Sequence, residues 1–188
     1  AKKKAKRNKR IAVITTPIVC AIIAFIIVLN TVIIPTARYN RAVEKYGKEW
    51  ADIVTNNSVG DTITFGTYEQ DNNTSNGKEA IEWTVLDKNG MSVLLISKQA
   101  LDCQRYNTSN TDVTWETCSL RVWLNGEFLS NAFSADEQAK IQSTNVSADK
   151  NPKYDTDPGN ATTDKVFLLS ITEAEKFFTT DESLKCAP

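Results

Sequence analysis

Twenty-four consecutive uncharged residues, 11–34 (IAVITTPIVCAIIAFIIVLNTVII), constrain this 188-residue chain more than any other feature. As a helix they rise about 36 Å, more than the ~30 Å hydrocarbon layer of a bilayer. The run is apolar on every side, unlike a core helix. It also exceeds the roughly 7–15 apolar residues of a cleavable signal, and Pro35 spoils the small-x-small site before Arg38. An uncleaved membrane anchor is expected. Just before it stand Lys2, Lys3, Lys4, Lys6, Arg7, Lys9 and Arg10. Lys and Arg beside a span mark the cytoplasmic side, which places the rest of the chain outside the cell membrane. The lipid bilayer is thus the first expected partner. Attraction of this arm to anionic headgroups is a lesser expectation.

The overall charge of −1 hides an asymmetry. Residues 36–188 hold 15 basic and 23 acidic residues, a net charge of −8. Such a domain has no electrostatic footprint for nucleic acid. The chain contains no histidine, which removes Ser-His-Asp and Cys-His catalysis and His-ligated zinc. It begins at Ala1 and stops at Pro188, just past an expected helix, so a piece of a longer chain is expected.

Four segments follow from the pattern: a basic arm at 1–10, the span at 11–34, a juxtamembrane helix and linker at 35–58, and an α+β domain at 59–188. In the third, Tyr39, Val43, Tyr46, Trp50 and Ile53 recur at helical spacing. That stripe suits a stalk, an interfacial helix or a dimer seam, with Gly47 as a weak point. In the fourth, residues 62–65 and 81–87 alternate as half-buried strands, and Asn89-Gly90 makes a tight turn. Residues 91–97 are apolar on both faces, which predicts a central strand. Residues 113–125 predict a helix placing Leu120, Trp123 and Leu124 on the core, ended by Gly126. Capping boxes are expected at Ser134/Glu137 and Thr172/Glu175, and residues 164–170 predict a buried strand.

Of four cysteines, Cys20 lies in the span. Cys103, Cys118 and Cys186 face an exterior that permits disulfides. Three pairings are open; closing the loop between Cys103 and Cys118 would stabilise by ~3 kcal/mol. Two loops are rich in oxygen ligands. Asp71, Asn73, Ser75 and Glu82 fall near a calcium-loop spacing, but the glycine is one place late and the flanks read as strands. Asp155, Asp157 and Asn160 surround Pro158-Gly159. Both are more simply turns. No cofactor is expected, with calcium the one ion these loops suggest. Arg121, amid apolar neighbours, is expected to be an ion-pair partner.

The ordered segments GDTITFGTYEQ, IEWTVLDK, MSVLLISKQALDCQRYN, WETCSLRVWLN, NAFSADE and DKVFLLSITEAE form a distinctive series. The series resembles the bacterial domain of unknown function 6273, carried by membrane-anchored surface proteins of Gram-positive bacteria, over about residues 59–188. The resemblance implies a motif core of Trp83, Trp115, Leu120, Arg121, Trp123, Leu124, Asn125, Phe133, Asp164 and Phe167. It also implies similarity to C-type-lectin-like antiparallel-sheet domains, and a continuation with a WWLRSPG-like motif. It implies no catalytic residue. The expectation is a non-catalytic module recognising an extracytoplasmic glycan, peptide or envelope component, with its tryptophans as scaffold. The alternatives are a carboxylate-dependent hydrolase or transferase of envelope polymers, and the sensor domain of a membrane signalling protein.

Overall fold

A computed structural model describes residues 19–180, 183 and 185. The basic arm, the first third of the expected span and Cys186 lie outside these residues. The chain divides into two units: the N-terminal helices to Asn56 together with Asn89–Ser92, and residues 57–88 with 93–188.

The first unit is built on α1 (Val19–Tyr46), a helix long and apolar enough to cross a membrane, with its apolar window unburied. Pro35 does not end it. Proline brings no N–H and a bulky ring, and the helix adapts by a π-helical turn at Leu29–Ile33, in which the Ile34 N–H reaches Leu29 O. Asn30 and Thr31 each return a side-chain donor to the helix's own backbone, at Ile26 O and Ile27 O, both at 2.8 Å. From Val19 to Tyr46, the described part of the expected span and the start of the juxtamembrane segment are therefore one helix.

At Gly47 (φ +89°) the chain leaves the helical region, then re-enters it as α2 (Lys48–Asn56). Ala42, Ala51 and Val54 are the buried residues of this pair. The expected stripe of Tyr39, Val43, Tyr46, Trp50 and Ile53 is half-buried. The Tyr39 hydroxyl donates to Asp52, which also pairs with Lys48.

The second unit is α+β. Strands β1 (Thr62–Tyr68), β2 (Glu79–Asn89) and β3 (Ser92–Ser97) form a sheet in that order. β2 is the middle strand, with Ile81 and Val85 almost wholly buried. The strand expected to be central, β3, is at the edge, and all six of its residues are half-buried. Its two apolar faces reflect partial cover on each side, which sequence pattern does not separate from full burial. β1 pairs antiparallel with β2 and bulges between Thr64 and Thr67. Gly66 occupies the bulge with φ +76°. A Cβ there would meet the Phe133 ring at 2.6 Å, so only glycine lets ring and strand touch.

The expected helix over 113–125 starts six residues late, at α3 (Ser119–Trp123), and does not stop at Gly126. It continues through a π turn (Leu124–Phe128) into α4 (Leu129–Ala132). Continuing buries Phe128, Leu129 and Ala132 with Leu124, Ile81 and Phe133 in one core. That gain outweighs the ~1 kcal/mol propensity cost of a helical glycine. Aromatic rings knit this core: Phe65 to Phe133 at 5.2 Å, Tyr68 to Phe128 at 5.1 Å, Trp123 to Phe128 at 5.3 Å between centroids.

α5 (Ala135–Lys140) opens with the expected Ser134/Glu137 capping box. Two short antiparallel strands follow, β4 (Thr144–Val146) and β5 (Thr162–Asp164). The buried strand expected over 164–170 is thus reduced to its first residue. Beyond Asp164 the backbone pairs with a side chain instead. Asn125 Oδ1 accepts from the Lys165 and Val166 N–H groups at 2.9 and 3.2 Å, and its Nδ2 donates to Val166 O at 2.9 Å. The last helix, α6 (Ile171–Phe177), is capped by Ser170 with Glu173, two residues before the expected box.

Candidate functional site

Two neighbouring arrangements draw on the motif core, one structural and one open. The structural one centres on Asp164, only 3% exposed. Its carboxylate accepts from Arg121 Nε at 2.8 and 3.1 Å, Trp115 Nε1 at 3.0 Å and the Thr162 hydroxyl at 2.5 Å. Arg121 Nη1 also donates to Glu116 O at 3.1 Å. A buried charge needs such complete pairing. Arg121 is therefore the ion-pair partner expected of it, tying α3 to β5. Leu124 and Phe133 lie in the core, and Leu120, Trp115 and Trp123 pack against it. Trp83 joins them and donates Nε1–H to Phe65 O at 2.6 Å, while Phe167 is half-buried.

The open arrangement is a pocket of about 330 Å³ between the segment after β3 and α3. Cys103, Gln104, Arg105 and Thr108 line it from one side; Ser119, Leu120 and Trp123 line it from the other. Three hydrogen bonds hold the sides together: Thr108 N donates to Ser119 Oγ at 2.9 Å, Ser119 N to Asn107 Oδ1 at 3.2 Å and Leu120 N to Tyr106 O at 3.1 Å. Within the first side Asn107 Nδ2 donates to Ser109 O at 2.9 Å. Asp102 anchors the base of the first side. It accepts from the Tyr68 hydroxyl, the Cys103 N–H and Gln104 Nε2. Burial, then the bond to Asp102, pushes the Tyr68 phenol up to about 12. Arg105, by contrast, is exposed and has no hydrogen-bond or ion-pair partner among the described residues.

Cys103 is an exposed thiol at this pocket and Cys118 a fully buried one; they are not joined to each other. Cys118 caps α3, accepting from Arg121 N and donating to Trp115 O, both at 3.4 Å. Burial, then the neighbouring Cys118, pushes the Tyr106 phenol up to about 12.

The oxygen-rich loops assemble differently from their sequence spacing. Glu82 leaves the first loop and pairs with Lys98 at 2.9 Å. Its place beside Asp71 is taken by Glu69 and Glu79, the three carboxylates lying within 4.8 Å of one another. The β1–β2 register, which sets Tyr68 opposite Glu79, brings them together; counting along the chain misses it. The loop's own donors already use these carboxylates. Asn73 N binds Glu69 and Asp71, Asn76 Nδ2 binds Asp71, and Gln70 N binds Glu79. Burial and the hydrogen bond shared with Asp71 raise the Glu69 carboxyl, while the Asn76 amide and the Asn73 N–H lower Asp71. In the second loop Asp155 pairs with Lys150 at 3.8 Å, and Asp157 accepts from Gly159 N at 3.0 Å. Asn160 donates to Glu116 at 3.0 Å, so each group serves a separate contact.

Gln104, Arg105 and Ser119 stand in the motif segments 91–107 and 115–125 and Thr108 in the polar loop between them, but none was singled out as a site residue. Pocket and Asp164 node both fall within residues 90–187, which match the family described as Domain of unknown function (DUF6273). The chain belongs to this family. The matched range begins at the β2–β3 turn, so β1 and the whole of β2, with Trp83, precede it, a narrower span than the resemblance suggested. No curated protein and no solved structure matches the chain.

Proposed function

We propose that the chain is a membrane-anchored recognition module that displays its α+β domain outside the cell and binds a ligand without transforming it. The observation that carries this reading is the open pocket beside α3, where an unpaired arginine stands with Leu120 and Trp123. A concave site with an apolar wall and a few polar groups is the usual form of a ligand site. The candidate chemistry elsewhere is committed to structure: Asp164 and Arg121 to each other, the loop carboxylates to nearby amides. The anchor reading rests on the length and composition of α1, and its orientation on the basic arm. Placement on a bacterial surface and a C-type-lectin-like architecture rest on the family resemblance alone.

Filling the pocket tests the reading. Thr108 is exposed on the pocket wall, so Thr108→Trp is expected to occupy the cavity without touching the core. Full-length chain in nanodiscs, screened against envelope peptides and glycans, is expected to show a saturable ligand that this variant no longer binds. Undiminished binding by a folded Thr108→Trp variant moves the site elsewhere, and turnover of any screened ligand overturns the non-catalytic reading.

A further inference from the structure

We infer that the pocket takes the C-terminal residue of a peptide, with the terminal carboxylate on Arg105 and an apolar side chain against Leu120 and Trp123. This rests on the reading of the pocket as the binding site. The argument begins with which polar groups are still free. Asp102, the acidic residue next to that wall in sequence, already accepts from Tyr68, Cys103 N and Gln104. Ser119 Oγ is taken by the Thr108 N–H, and the Gln104 amide donates to Asp102 at 3.3 Å. The Arg105 guanidinium, a donor with no acceptor capacity, is uncommitted and is the one cation among the residues lining the pocket. Its fork fits a planar carboxylate by two parallel hydrogen bonds.

A dianionic phosphate meets a single cation in a segment whose net charge is −8, an unfavourable field. A monoanion is the better match. The apolar wall supplies the second half of the specificity. Leu120 and Trp123 are both only part-buried against the core, leaving surface open to the cavity. About 330 Å³ is at the lower limit of ligand pockets. That is room for one side chain with its carboxylate, not for a long chain segment. A C-terminal leucine or phenylalanine joins these two features on one residue, as in other captures of terminal carboxylates.

The test uses full-length chain in nanodiscs and a fluorescent hexapeptide ending in Leu-COOH, with the same peptide as its C-terminal amide, N-acetyl-leucine, and a galactose oligomer as comparisons. The acid peptide is expected to bind at least tenfold more tightly than the amide, with N-acetyl-leucine competing weakly. Arg105→Ala is expected to erase the difference between acid and amide, and Arg105→Lys to restore part of it. Thr108→Trp is expected to abolish binding of all of them. Equal affinity for acid and amide, or an Arg105→Ala variant that still prefers the acid, overturns the carboxylate assignment. Binding of the galactose oligomer in preference to the peptides, blocked by Thr108→Trp, overturns this inference while the pocket reading stands. Peptide binding untouched by Thr108→Trp overturns both.

Discussion

At the residue scale the Asp164 carboxylate joins three donors from separate parts of the chain. Arg121, Trp115 and Thr162 all donate to it. Removing it leaves a guanidinium and an indole N–H without their acceptor, a loss of about 3–5 kcal/mol for a buried pair. Asp164→Ala is therefore expected to lower the unfolding free energy by that amount, read as a lower denaturation midpoint at unchanged denaturant slope, as followed by tryptophan fluorescence. Glu137 carries a pH dependence. Burial raises its carboxyl, but the Ser134 N–H and hydroxyl and the Gly66 N–H outweigh this and hold it below its usual 4.5. Because the folded value is the lower one, its contribution is present above pH 4.5 and is lost as pH falls through the folded value. Glu137→Gln is expected to flatten the acid limb of a stability-versus-pH curve while leaving the alkaline limb unchanged.

At the element scale the β1 bulge and α5 are fitted to each other through Gly66. Its N–H reaches Glu137 at 3.2 Å, and its missing Cβ makes room for Phe133. Gly66→Ala puts a methyl 2.7 Å from Ala132 O and strains a positive φ. Overpacking and the left-handed conformation together are expected to cost about 3 kcal/mol. The loss should appear in thermal unfolding, with faster amide exchange at Gly66 and Glu137 as its local signature. Gly47 has equally positive φ but nothing within 4 Å of its missing Cβ, so the same substitution there meets backbone strain alone and costs less.

At the scale of the whole molecule two solvents divide the chain. α1 carries an unburied apolar window long enough to cross a membrane, whereas the second unit encloses an apolar core. If the basic arm sets orientation, a membrane-impermeant maleimide applied to intact bacterial cells is expected to label Cys103. Cys103→Ser, in a background lacking Cys20 and Cys186, is expected to remove that signal. Labelling only after the cells are opened would reverse the topology. Replacing the seven basic residues of the arm by Glu is expected to reduce outside labelling, since topology follows Lys and Arg placement.

The properties legible in the chain alone were those set by local chemistry. An uncharged run of this length has one favourable solvent, so a candidate span follows directly from composition. Ser134 three residues before Glu137 closes a capping box by short-range geometry, and Asn89-Gly90 turns a strand because glycine tolerates positive φ. Arg121 among apolar neighbours demanded an anion without saying which. Tertiary packing named Asp164, made β3 an edge, and carried the α3 helix past Gly126 to bury Phe128. It also swapped Glu82 for Glu79 beside Asp71, because strand register, not chain distance, decides which carboxylates meet. The pocket is the clearest case. Arg105 and Trp123 are separated by a loop whose hydrogen bonds to α3 set the cavity width, and no residue pattern encodes a distance across space.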